Sequence, residues 1–62
     1  MGEREYTAEI WQDGQAVAWV SGGDPAAVRR EAMHYAMVYA QDGPAEIRSP
    51  DYDALFGGGS QP

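Results

Sequence analysis

Residues 24–41, DPAAVRREAMHYAMVYAQ, decide how this chain folds, because no other segment is long enough to cover a hydrophobic core. Asp24 offers the carboxylate that an N-cap needs to accept from a free N–H of the first turn. Pro25, at the first helical position, lacks an N–H that would have no partner there. Gly43 and Pro44 supply the stop, since glycine tolerates a left-handed residue past a helix end and proline cannot continue the helix. The spacing therefore predicts one helix over 24–41. At about 100° per residue, Val28, Ala32, Tyr35 and Tyr39 share a stripe, with Ala36 at its edge. Met33, Met37 and Ala40 carry the apolar arc around one flank, while Arg30, His34 and Gln41 lie opposite.

Before the helix, two runs, Glu5 to Gln12 and Gln15 to Ser21, are separated by Asp13-Gly14. That dipeptide suits the positive φ angles of a two-residue type I′ turn and so predicts a β-hairpin. A regular ladder from that turn sets Ile10 opposite Val17 and Ala8 opposite Trp19. Period-two alternation then places Tyr6, Ala8, Ile10, Val17 and Trp19 on the core face, and Thr7, Glu9, Trp11, Ala16, Ala18 and Val20 on the other. After the helix, Ala45 to Arg48 alternates apolar and charged residues and reads as a third strand, with Ile47 inward and Glu46 and Arg48 outward. Strand order 2-1-3 is preferred because it puts the longest strand in the centre and brings Arg48 near Glu9. Ser49 to Phe56 carries an N-cap serine, a proline and acids, the marks of one short helical turn.

The fold class expected is thus α+β: a single ββαβ domain over 1–56, with one long helix on one face of a three-stranded antiparallel or mixed sheet. Met1 to Arg4 reads as a frayed end, and the glycine-rich 57–62 as a flexible tail. The helix's apolar arc is wider than this sheet can cover. Either Tyr52, Leu55 and Phe56 fold back over Met33 and Met37, or those methionines form a surface for another molecule.

Composition excludes several classes of function. With 62 residues there is no room for a deep pocket beside a core. No cysteine and one histidine, His34, leave no thiolate site and no multi-histidine metal site within one chain, and no cofactor is expected. Ten acidic residues against four arginines give a net charge of −6, so phosphate backbones are repelled and direct nucleic-acid binding is not expected; a basic protein partner fits better. No apolar run reaches the roughly 18 to 20 residues of a membrane span, and no leader-like segment opens the chain, so a cytoplasmic protein is expected.

Candidate binding residues follow from the exposed sheet face. Trp11 leads, because exposed tryptophans anchor interfaces, with Thr7, Glu9, Val20, Glu46 and Arg48 around it. Met33 and Met37 form a second candidate surface, and Asp51, Tyr52 and Asp53 a third, acidic one. None of these residues has the spacing of a catalytic or metal site. The ββαβ order is similar, at the level of topology, to small antitoxin domains of the HicB type and to small phage proteins that block host enzymes. The Pro-Gly element that follows the second strand in those antitoxins is replaced here by Ser21-Gly22-Gly23-Asp24. The function expected is a small acidic, non-enzymatic protein-binding module, of the kind a phage or mobile element encodes as an inhibitor or adaptor and which then acts in the host cytoplasm. The alternative is a homodimeric assembly protein joined through the Met33/Met37 flank or an edge strand.

Overall fold

The computed structural model describes residues 4–57. β1 (Tyr6–Gln12), β2 (Gln15–Gly22), α1 (Pro25–Tyr39) and β3 (Glu46–Arg48) follow in order, and a π-helical turn, Asp53–Gly57, comes after them. The sheet order is β2-β1-β3, and β1 is antiparallel to both neighbours, so the expected α+β class and 2-1-3 order are found. Met1–Glu3 and 58–62, which carry most of the expected frayed end and tail, lie outside the described residues.

The hairpin turn forms for the reason expected: Asp13 and Gly14 take φ of 56° and 80°, a type I′ geometry that needs positive φ at both positions. The register beyond it is not the expected one. Gln12 faces Gln15 and Trp11 faces Ala16, but Ile10 then faces Ala18, so Val17 is an extra residue in β2. This β-bulge shifts every later pair by one: Glu9 faces Trp19, Ala8 faces Val20 and Thr7 faces Ser21. A one-residue slip exchanges the faces of a strand. Val20 is therefore buried in the core rather than on the open face, while Trp19, expected inside, is 67% exposed. Tyr39 holds the bulge, its hydroxyl donating to the Val17 carbonyl at 3.2 Å.

α1 begins as expected, with Asp24 accepting from the Ala26 N–H at 3.0 Å and Pro25 as its first residue. It ends at Tyr39 with Ala40 as C-cap, two residues short of Gln41, and the chain leaves through single turns to Gly43. Gly43 has φ +150°, but it stands three residues past the cap and so is not the left-handed terminator expected. The end is closed by a side chain instead: Gln12 Nε2 donates to the Tyr39 carbonyl at 2.7 Å and to that of Gly43 at 3.0 Å. The Tyr39 carbonyl also accepts from the Asp42 N–H at 3.0 Å, so this β-strand glutamine is its second donor and ties the helix end and the turn after it to β1.

The core consists of Ala8, Ile10, Val20, Val28, Ala32 and Leu55, with Tyr6, Val17, Ala18, Tyr39, Ile47 and Phe56 packed around it. Of the expected helix stripe, Val28 and Ala32 are buried and Tyr39 is half-buried, but Tyr35 is exposed at the edge. Val20 takes the inward position on β2 expected of Trp19, and Leu55 from the C-terminal turn is the remaining large core side chain beyond the sheet and α1. The C-terminal segment does fold back, but it inserts Leu55 into the core and leaves Met33 50% and Met37 69% exposed. Its first turn is anchored to β1. Ser49 Oγ accepts from the Asp51 N–H at 2.9 Å and itself donates to the Thr7 carbonyl.

Candidate functional site

With α1 on one side of the sheet, no other helix among the described residues covers the opposite side, and the bulge decides what that open face presents. β1 contributes Thr7, Glu9 and Trp11; β3 contributes Glu46 and Arg48, opposite Trp11 and Glu9; β2 contributes Trp19, opposite Glu9. At the centre these side chains bind one another. Trp11 Nε1 donates to Glu9 Oε1 at 2.8 Å, the Arg48 guanidinium lies 4.1 Å above the Trp11 ring, and Arg48 Nε donates to Glu46 Oε2 at 2.7 Å. The cation–π contact contributes about 0.5–1 kcal/mol at such a site, and the exposed Arg48–Glu46 pair less than about 1 kcal/mol. Their joint effect is to orient a half-buried indole that is already hydrogen-bonded along one edge and covered on one face.

Trp19 is the opposite case. It is the second of the chain's two tryptophans, it stands mostly in solvent, and its indole N–H has no partner among the described residues. Sequence reasoning missed it because residues 16–20, AVAWV, are apolar at every position. A period of two then has no phase, and the assumption of a regular ladder chose the wrong one.

The open face ends at a shallow groove of about 240 Å³ between the hairpin turn and the segment before β3, lined by Trp11, Gln12, Asp13, Pro44, Glu46 and Arg48. That is below the roughly 300–1,000 Å³ of small-molecule pockets. A second depression of about 360 Å³ is lined by Arg4, Pro50, Asp51, Tyr52, Asp53 and Ala54. There Asp51, expected as part of an exposed acidic trio, is drawn inward. It accepts from Arg4 at 2.6 Å and from the Thr7 N–H at 3.2 Å, and its side chain is only 13% exposed. Its hydrogen bond and charge hold the Arg4 guanidinium above its ordinary range, favouring the cation. Tyr52 is exposed and stacks on Phe56 at 4.9 Å, and Asp53 faces solvent, so the three residues do not act as one element.

The sequence candidates therefore separate. Thr7, Glu9, Trp11, Glu46 and Arg48 are brought together; Val20 is removed to the core; Met33 and Met37 stand on α1, which covers the opposite side of the sheet. Among the described residues no three His, Cys, Asp or Glu side chains converge to hold a metal ion, and no helix is long and apolar enough to cross a membrane. Comparison with protein-family models, curated proteins and solved structures finds no match to the chain. The likeness to small antitoxin and phage domains thus stays one of element order, and function is argued from the chemistry of the face.

Proposed function

We propose that this chain is a non-enzymatic protein-binding module whose recognition surface is the open sheet face, with Trp19 as the inserting anchor and the Glu9–Trp11–Arg48–Glu46 cluster as its pre-oriented surround. The observation that carries the reading is the pairing of a 67% exposed tryptophan with a second tryptophan fixed by two polar contacts on the same face. Large aromatic rings anchor interfaces, and side chains held in place before binding lose little conformational freedom on binding. Around them stand Glu9, Glu46 and, at the turn, Asp13 against one Arg48, on a chain of net charge −6. The partner that fits is a protein with an apolar pocket rimmed by basic side chains, met in the cytoplasm of the cell that makes the module or, for a phage-borne copy, of its host.

The test compares capture of proteins from the native host by the wild type and by the Trp19→Ala, Trp11→Ala and Met37→Ala variants. The expected result is a partner retained by wild type and Met37→Ala, lost by Trp19→Ala and weakened by Trp11→Ala. Retention by both tryptophan variants, with loss in Met37→Ala, would move the surface to the helix and overturn the reading. Rising salt should weaken the complex through its basic rim.

A further inference from the structure

The two edges of the sheet differ in a way that binding at its face does not explain. β3 is three residues long and two of them, Glu46 and Arg48, are charged, whereas β2 runs for eight residues, QAVAWVSG, with neither a charge nor a proline. Short length, charge and proline are devices that keep an edge strand from pairing with another chain. β2 has only its bulge, and that lies at Val17, toward the turn.

The groups that β2 leaves open follow from β1. The Thr7 N–H donates to Asp51 and the Thr7 carbonyl accepts from Ser49, both beyond β3's end of the sheet and away from β2. Along an antiparallel ladder the direction alternates residue by residue, so Glu9 and Trp11 also turn their backbone groups to that side, where Arg48 and Glu46 pair with them. Thr7–Ser21 and Glu9–Trp19 are therefore the non-hydrogen-bonded pairs of the hairpin. Ser21 and Trp19 accordingly direct their N–H and C=O groups outward, away from β1. The Val17 carbonyl is already engaged by Tyr39, so the pairing stretch of the edge is 18–22.

We infer that β2 pairs antiparallel with β2 of a second copy, about a two-fold axis at Val20. In that register Trp19 lies opposite Ser21 of the second copy and Ser21 opposite its Trp19, so all four outward groups of each chain find partners. A register centred on Trp19 would instead face Ser21 with Val17, whose carbonyl is taken. The seam is self-complementary: Val20 meets Val20 on the core side, Trp19 covers the partner's Ser21 on the open side, and residues 18–22 bring no charge to the contact. A sheet of order 3-1-2-2-1-3 results, with both Trp19 and both Trp11 side chains on one continuous face. The seam is shorter than a standard interface, which places the dissociation constant in the micromolar range or above. Because each copy carries −6 and the seam none of it, salt strengthens the association by screening.

Sedimentation of the full chain from low micromolar to millimolar concentration, with amide hydrogen exchange at both ends of that range, tests the pairing without any partner protein. A mass rising to that of the dimer is expected, with exchange at Trp19 and Ser21 slowing as concentration rises while Val20 is protected throughout. Trp19→Lys should raise the dissociation constant about tenfold or more by setting charge at the seam. Ser21→Pro, which deletes an outward N–H at an edge position where proline is accommodated, should do the same. If either variant fails to fold, the wild-type exchange data decide alone. A monomer at every concentration overturns the inference, whether the edge then takes another protein's strand or nothing. So does a dimer in which the Met33 and Met37 methyl signals shift while Trp19 and Ser21 exchange as in the monomer.

Discussion

Trp19→Ser and Val20→Ala, taken as a pair, read the register of the hairpin directly. In the bulged register Trp19 is 67% exposed and Val20 5% exposed. Removing the indole then behaves as a surface change, within about 0.5 kcal/mol. Truncating Val20 removes two buried methyl groups, about 1.6 kcal/mol at about 0.8 each, and the cavity left beside Ala8 and Ile10 brings the loss to about 2 kcal/mol. In a regular two-residue hairpin the order reverses: Trp19 would be core, its loss would cost about 3–5 kcal/mol, and Val20→Ala would be nearly silent. A chain of 62 residues has only about 3–9 kcal/mol of stability at about 0.05–0.15 per residue, so the two cases do not overlap. Urea unfolding at low micromolar concentration, followed by far-ultraviolet circular dichroism, measures both. With a slope of about 1 kcal/mol per molar, Val20→Ala should lower the midpoint by about 2 M and Trp19→Ser should hardly move it. An unfolded Trp19→Ser beside a Val20→Ala as stable as wild type would refute the bulged register and, with it, the composition of the open face.

Three further outcomes follow from the same contacts. Gln12→Ala should cost about 1 kcal/mol in urea unfolding, because the Gly43 carbonyl loses its side-chain donor and the Tyr39 carbonyl, still bonded to the Asp42 N–H, loses one of two; Gln12→Glu should be worse, since it aims a carboxylate at the negative end of the helix. Asp51→Ala should cost about 1 kcal/mol through the Thr7 N–H and speed that amide's hydrogen exchange, whereas Asp53→Ala, on an exposed side chain, should stay within about 0.5 kcal/mol. Asp24→Ala should cost about 1 kcal/mol by removing the helix N-cap, seen as a lower thermal midpoint.

Local chemistry made much of this protein legible in one dimension. The Asp24-Pro25 start of the helix, the Asp13-Gly14 turn and the third strand around Ile47 follow from residues acting on their own neighbourhood: a cap, a pair of positive φ angles, a short alternating run. The place of that strand beside β1 is a preference that the tertiary pairing decided. What those signals do not carry is the phase of β2, where AVAWV satisfies either face, so the choice fell to packing. Val20 and Leu55 fit between the sheet and Val28, with Tyr39 holding the bulged Val17 carbonyl, and that arrangement sends Trp19 outward. The same holds for contacts between residues far apart in the chain: Gln12 closing α1, and Asp51 and Ser49 fastening the C-terminal turn to Thr7. The sequence by itself determined which segments form a hairpin, a helix and a strand, because each is specified by residues a few positions apart. Only the tertiary structure decided which tryptophan the molecule shows, because burial depends on the volume left between elements once they have met.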